Sequence, residues 1–496
     1  MSEIAVQLPQ KGQTKETILE KMRLVRQKDI NWQQGKAFSL VFHAGEEVTD
    51  LLKEAYAMFF SENGLNPAAF PSLRKFESEV VAMSASLLGG DANTSGSMTS
   101  GGTESILMAV KTAREWARTT KPEISRPEMI LPASVHPAFE KAAHYFGVKP
   151  VLIPVREDFR ADLNATQAAI TSQTILLVGS APSYPQGVVD PISGLAAIAK
   201  EHGILMHVDA CVGGFMLPFV RQLGYEVPDF DFGVPGVTSI SADLHKYGYA
   251  AKGASVILYR DRALRRHQFF VHTDWSGGIY ASPTMTGTRP GGAIAAAWAI
   301  MNYLGNDGYL RIADCVMQTT HRLRQGVEAI AGLDVLGNPE MSIFAIASNK
   351  YNIYEIGDEM GVRNWHLDRQ QFPPSLHVTV NYAHAGVVED FLRDLRASVN
   401  IVKKPSLQKT GNALIVKLAN GAATILPEKW IGWLTQRVSG LIGGKGTGLP
   451  ERSAAMYGMI GTLPNRGDIN QLVLDLLDRM TVASRQDEQP GDLDGL

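Results

Sequence analysis

The stretch SADLHKYGYAAKG, residues 241–253, decides the fold. It sets Lys246 directly after His245, between the β-rich run VTSIS (237–241) and a second one, ASVILYR (254–260). A lysine on a rigid connection between strands can form a Schiff base with a carbonyl cofactor such as pyridoxal phosphate (PLP) once its amine is partly desolvated. Taken alone, a His-Lys pair is more simply an ordinary solvated surface pair. Its neighbours in the chain change that reading.

The run GILMHVD (203–209) is apolar, reads as a buried parallel strand, and ends in Asp209 followed by small residues. Open α/β sheets bind ligands at the carboxyl ends of their strands, so Asp209 is expected to face that crevice. A PLP enzyme needs a carboxylate there to keep the pyridine nitrogen protonated and the ring an electron sink. An aspartate after a strand is otherwise a turn or cap residue. A third segment, TSGGTESILMAVKTAREWAR (99–118), sets Gly101 and Gly102 before Thr103 and an amphipathic helical pattern. Glycines before a helix N-terminus let N–H groups and the dipole approach a phosphate, and the Thr103 hydroxyl adds a hydrogen bond. Plain helix capping uses the same residue types. A nucleotide P-loop is excluded, because no Gly-Lys-Ser/Thr follows the glycines. A fourth segment, PASVHPAFEKAAHYFGVK (132–149), places His136 at a strand-to-helix junction, where an imidazole stacks on a cofactor ring or serves the fold alone.

Apolar β-rich runs alternate with helical stretches from about 78 to 260: MILPAS (129–134), VKPVLIPV (148–155), TILLVGS (174–180), then the three runs above. This alternation predicts an α/β fold with a mainly parallel sheet covered by helices. Residues 1–60 read as a charged helical arm, 61–305 as the large domain, and 306–496 as a smaller α/β C-terminal domain. Long helices are expected from 291 to about 332, then strands at FAIAS (344–348) and LHVTVNY (376–382) and a helix over 387–402.

The composition agrees with a large enzyme of 496 residues. Lys and Arg number 47 against 50 Asp and Glu, so nothing points to nucleic acid. Two cysteines, Cys211 and Cys315, cannot build a disulfide framework and suit a reducing cytoplasm. Cys211 reads as a small buried hydrophobe. The twelve histidines show no metal-ligand spacing, so no metal is expected. The N-terminal MSEIAVQLPQKGQTKE lacks the apolar core of a signal peptide, and the longest apolar stretch, near 293–305, is too short to span a bilayer.

GSMTSGGTESILMA, SISADLHKYGYAAKGAS, FFVHTDWSGGIYASPTMTGTRPGG and QFPPSLHVTV together resemble the sphingosine-1-phosphate lyase family, in the group II decarboxylase branch of the fold-type I PLP enzymes. The resemblance runs from about residue 8 to about 482, with a gap at roughly 406–450. It implies a fold-type I, transferase-like architecture and a homodimer with shared active sites. It makes Lys246 the Schiff-base lysine, Asp209 the partner of the pyridine nitrogen, His136 the stacking imidazole and Tyr184 (SAPSYPQG) the active-site tyrosine. His245 would sit by the cofactor phosphate, and Thr288 (GTRPG) would reach it from the neighbouring subunit. Lys252 and Tyr457 would hold the phosphate of the substrate, a phosphorylated, lipid-like amino alcohol. The implied reaction removes the 3-hydroxyl proton, breaks the Cα–Cβ bond into the ring, and yields a long-chain aldehyde and phosphoethanolamine.

Two positions depart from the family. Relatives carry a tyrosine where this chain has Phe42 and a histidine where it has Asn66, and both positions help hold the substrate phosphate. Phe42 lacks the hydroxyl and Asn66 carries no charge. An amino-acid α-decarboxylase and a non-catalytic lipid-binding relative therefore stay open beside the lyase. Within the gap, PEKWIGWLTQRVSGLIGG (427–444) puts Trp430, Ile431, Leu434, Val438, Leu441 and Ile442 on one helical face. Such a face suits either peripheral membrane contact or packing on protein.

Overall fold

The structure, a computed structural model, describes residues 6–404 and seven positions between 470 and 481. Tyr457, the 406–450 segment and the helix expected at 427–444 lie outside the described residues. The chain divides into two compact units, Gln33–Ile346 with His377–Val388, and Met1–Trp32 with Ala347–Leu376 and Glu389–Leu496.

In the first and larger unit the apolar runs become a seven-stranded sheet. Its strands are β1 (Ser95–Thr99), β2 (Glu128–Pro132), β3 (Lys149–Ile153), β4 (Thr174–Ser180), β5 (Leu205–Asp209), β6 (Ser239–Ala242) and β7 (Ser255–Tyr259). The order is β1-β7-β6-β5-β4-β2-β3. Neighbours from β3 through β6 pair in parallel, while β7 is antiparallel to both β6 and β1. The mainly parallel sheet expected from the sequence is thus present, with one reversed strand. Strands β2, β4, β5, β6 and β7 are buried along their whole length, which is why most of their positions are apolar.

The edge strand β1 carries no apolar run and was not expected. Its sequence, SGSMT, pairs with β7 in the register Gly96↔Leu258. A Cβ at Gly96 would lie 2.4 Å from the Ile257 carbonyl oxygen, so this close approach requires glycine. The helices Gly102–Thr120 and Ala138–Phe146 pack with the sheet, joining Ile106, Met108, Val110 and Phe139 to Met129, Ile175, Val178 and Ile257 in one core. The helix Gly291–Glu328 breaks at Gly305, whose φ of 57° lies in the left-handed region.

The other unit holds the strand Asp368–Gln371 and the helices Lys15–Arg26, Ile353–Gly361 and, from Glu389 on, Val388–Val402. Asn352 caps the second of these helices, its side chain accepting from the Tyr354 N–H at 3.0 Å. Trp365 donates to Asp394 at 2.9 Å and meets Phe391 edge-on at 5.2 Å. Among the described residues no helix is long and apolar enough to cross a membrane.

Two buried histidines of the larger unit make it sensitive to acid. His384 stacks on Phe38 at 4.1 Å, accepts from the Asn381 N–H at Nδ1 and donates from Nε2 to the Ala37 carbonyl. His207 lies inside β5. Burial pulls both imidazoles down from 6.5 to about 4. The unfolded chain therefore binds more protons between pH 6.5 and about 4, and stability falls as pH drops through that window. Each histidine accounts for on the order of 3 kcal/mol of the loss. The urea midpoint should hold above pH 7 and fall through the window, less steeply in His384→Gln.

Candidate active site

The carboxyl ends of β2, β4, β5 and β6 lie side by side in the sheet, and the expected site residues sit on or just after them. His136 follows β2, Tyr184 follows β4, Asp209 ends β5, and His245 and Lys246 follow β6. This is where an open α/β sheet binds ligands. Lys246 is held on a compact turn: its N–H donates to the Asp243 carbonyl at 3.3 Å and its carbonyl accepts from Tyr249 at 2.9 Å.

The Lys246 ammonium lies 2.9 Å from Asp243 Oδ2, a residue the sequence reading missed. Burial works against the charged ammonium, but the Asp243 carboxylate outweighs it and holds the lysine pKa above its ordinary value. Burial likewise opposes the Asp243 charge, and Lys246, then His245, hold that carboxyl below the usual range. The signal was the spacing of three residues in DLHK, which brings residues 243 and 246 together within one turn. His245 Nε2 stands 3.7 Å from the same Oδ2, and burial lowers its pKa despite that carboxylate.

Asp209 is buried, and its Oδ1 accepts from the Cys211 N–H at 3.1 Å and the Ser241 hydroxyl at 3.4 Å. Cys211 is buried, as expected, and its thiol donates to Ser241 Oγ at 3.3 Å. The helix Gly102–Thr120 begins with no side-chain cap, so its first N–H groups are left for a ligand. A Cβ at Gly102 would lie 2.7 Å from Asp243 Oδ2 and 2.8 Å from Cys211 Sγ. Glycine is what lets this helix start close over the Asp243–Lys246 pair. One at Gly101 would meet His245 Cε1 at 3.4 Å, which ties His245 to the same loop. Thr103, in the first turn, is exposed.

His136 is exposed, and its Nδ1 accepts from the Ala138 N–H at 3.1 Å, which fixes the ring at the start of the following helix. Tyr184 stacks on His377 with centroids 3.9 Å apart and planes 20° apart. His377 is itself bound to Thr379 Oγ1 at 2.6 Å. The reading of QFPPSLHVTV as a family stretch did not single out His377 as the platform for Tyr184.

Lys252 Nζ donates to the Leu40 carbonyl at 2.7 Å and lies 5.7 Å over the Phe42 ring. Phe42 in turn meets Tyr247 edge-on at 4.8 Å. Burial, then the nearby Lys246 charge, lower the Lys252 pKa. Asn66 is engaged otherwise: its Oδ1 accepts from the Ala68 and Ala69 N–H groups, both at 3.1 Å, and closes a turn. Thr288 is exposed and accepts from Asn63 Nδ2 at 3.4 Å.

A model of the pyridoxal-dependent decarboxylase conserved domain matches residues 1–346. The chain is 44% identical to sphingosine-1-phosphate lyase of Arabidopsis thaliana over 479 residues, 95% of this chain and 80% of that one. The chain belongs to the sphingosine-1-phosphate lyase family of pyridoxal-dependent enzymes. A solved family structure, the sphingosine-1-phosphate lyase of Burkholderia pseudomallei, superposes with a TM-score of 0.78 at 41% identity, covering 83% of this chain and 96% of that one. An L-aspartate/L-glutamate decarboxylase of Pyrococcus horikoshii is 33% identical over 397 residues, 79% of this chain and 99% of that one.

PLP is the cofactor that goes with the sphingosine-1-phosphate lyase family, and the residues present fit it. The uncapped helix start suits its phosphate, Lys246 its carbonyl carbon, and Asp209 its ring nitrogen. Three buried polar atoms after these strands, Ser134 Oγ, Ser183 Oγ and Asp243 Oδ1, have no hydrogen-bond partner among the described residues. Native proteins seldom leave such atoms unpaired, and a polar ligand in this crevice would answer them.

Proposed function

We propose that this chain is a PLP-dependent carbon–carbon lyase that cleaves a phosphorylated sphingoid base to a long-chain aldehyde and phosphoethanolamine. The observation that carries the substrate class is Lys252. It is a second lysine beside the cofactor lysine, held by the Leu40 carbonyl and the Phe42 ring and engaged with no carboxylate at salt-bridge distance among the described residues. A cation so placed suits a substrate phosphate, as a point charge separate from the helix start that takes the cofactor phosphate.

PLP, when bound, supplies the electron sink for the pair released from the Cα–Cβ bond. The chain does the rest. Asp209 keeps a negative charge at the ring-nitrogen end of the crevice. Asp243 holds a proton on Lys246 Nζ whenever that amine is free. Tyr184, set by its stack on His377, presents a phenol that can take or return a proton at its hydroxyl oxygen, and His136 offers an open imidazole face.

We further propose a cytoplasmic homodimer in which Thr288 serves the neighbouring site. In support, Phe270, Val271, Trp275 and Ile279 of the segment around the paired strands Phe270–His272 and Tyr280–Ser282 are exposed, and the two cysteines are free. A phosphate contact from Tyr457 and, for 427–444, either packing on protein or peripheral membrane contact complete the proposal.

An amino-acid α-decarboxylase is the second reading, favoured by Phe42, which offers no hydroxyl, and by Asn66, whose oxygen is committed to a turn. Incubating the PLP-loaded protein with sphingosine 1-phosphate and with an amino-acid panel separates the two. Aldehyde without carbon dioxide is expected, and carbon dioxide from an amino acid in its place would overturn the lyase. Lys252→Ala should cut turnover of the phosphorylated base by about 10–100-fold while PLP affinity stays within a few-fold, because an anchored phosphate positions the reacting bond.

A further inference from the structure

Strands β5 and β6 carry polar residues at alternate positions where everything around them is buried. His207 and Asp209 share one face of β5, Ser239 and Ser241 one face of β6, and the register pairs His207 with Ser239 and Asp209 with Ser241. His207 Nδ1 is 2.9 Å from Ser239 Oγ, and its Nε2 is 3.2 Å from Ser241 Oγ. Ser241 donates in turn to Asp209 Oδ1 at 3.4 Å. His207, Ser239 and Ser241 are all fully or nearly fully buried.

The direction of this chain follows from donor counting. A carboxylate only accepts, so the single Ser241 proton goes to Asp209. Ser241 Oγ must then accept from His207, which puts the imidazole proton on Nε2. Nδ1, left as the acceptor, takes the Ser239 hydroxyl proton. Cys211 also donates to Ser241 Oγ, and burial, then the Asp209 and Asp243 charges, push its thiol up so that it keeps its proton. The charge that acts on His207 is that of Asp209, and Phe139 covers its ring at 5.7 Å. Burial keeps the imidazole neutral, so the chain polarises without transferring charge.

We infer that Ser239, His207 and Ser241 form a neutral, one-directional hydrogen-bond relay that orients Asp209 and sets how strongly its carboxylate holds the cofactor ring nitrogen protonated. Hydrogen bonds in such a chain strengthen one another in a buried setting, and together they fix Asp209 Oδ1 and leave its other oxygen for the ring. Two effects compete. Donation to Oδ1 makes the carboxylate a weaker base, which alone would favour the ring proton less. Orientation and retention of the full negative charge favour it more. Orientation dominates, because an Asp209 that has lost Ser241 keeps, of the Ser241 and Cys211 donors on Oδ1, only the Cys211 N–H and can turn its charge about that one bond. His207 and Ser241 are therefore positioning residues, acting through Asp209.

The inference rests on PLP binding at Lys246 with its ring nitrogen at Asp209, and the experiment separates the two. The protein is loaded with 15N-pyridoxal phosphate, labelling of Lys246 is checked after borohydride reduction, and the ring-nitrogen shift is followed from about pH 5.5 to 9. Ser241→Ala and His207→Phe should each lower the ring-nitrogen pKa by about one unit, a tenfold change in its protonation constant. The double variant should go no lower than either single one. His207→Gln, with one acceptor and one donor on a single side chain, should recover most of the loss. A wild-type titration in Ser241→Ala, or additive shifts in the double variant, would overturn the relay. Should His207→Phe not fold, Ser239→Ala takes its place beside Ser241→Ala with the same expectation. A wild-type protein that takes no label on Lys246 would bring down the functional reading and the relay together, whereas correct labelling with an unmoved nitrogen brings down the relay alone.

Discussion

Lys246→Ala is expected to abolish turnover and, unlike an ordinary pocket substitution, to destabilise the fold. The catalytic loss follows from removing the amine on the β6 turn that the proposed function assigns to the cofactor carbonyl. The stability loss follows from Asp243, which is 2% exposed and, among the described residues, would keep only His245, at 3.7 Å, as a basic partner at salt-bridge distance. Leaving a fully buried carboxylate without its cation costs roughly 3–5 kcal/mol, and because Lys246 is partly solvated a loss of about 1–3 kcal/mol is expected. Adding Asp243→Asn should return most of the stability and none of the activity. Chemical denaturation of the two variants beside wild type reads the first effect, and aldehyde release the second. Borohydride reduction of the loaded wild type should leave the pyridoxyl group on Lys246, and a label on another lysine would refute the assignment. In the sequence the His245–Lys246 pair, taken alone, reads as an ordinary solvated surface pair, whereas in the structure Lys246 is paired with buried Asp243.

Asp209→Asn is expected to lower the rate by about 10²–10³-fold with PLP still bound. The amide keeps an oxygen for the Cys211 N–H and the Ser241 hydroxyl, so the loop after β5 has no reason to rearrange. What disappears is the fixed negative charge in a water-poor crevice, and preorganised charges of that kind commonly contribute on this scale. Cofactor retention is expected because the helix start at Gly102 and the Lys246 bond are untouched. Steady-state rates and absorbance of the bound cofactor measure the two halves of this statement. Near-normal turnover in Asp209→Asn would mean that another group serves the ring nitrogen.

Much of this molecule is legible in its sequence, for a physical reason. Strands β2, β4, β5, β6 and β7 are β-rich runs bounded by turn residues, and burial on both faces keeps most of their positions apolar. Lys246, Asp209 and the Gly101–Gly102 helix start stood out because they break such runs with residues of specific chemistry. Family membership followed from the long ordered stretches around them. The edge strand β1 did not stand out: SGSMT has no apolar run, and it is a strand only because Gly96 lets it come within reach of β7. His207, Ser241 and His377 were likewise silent, since each takes its meaning from a partner on another strand or turn, and Asp243 was legible only through its spacing of three residues from Lys246. The Asp243–Lys246 pair exists only once the β6 turn forms, the His207–Ser241–Asp209 chain only once β5 and β6 are in register, and the Tyr184–His377 stack only once the segment after β4 meets His377. Pattern along the chain determined which residues are buried and which carry reactive chemistry. Tertiary structure decided which of them touch, because hydrogen bonds and ring stacking act over 3–4 Å between residues far apart in sequence, a length no one-dimensional pattern records.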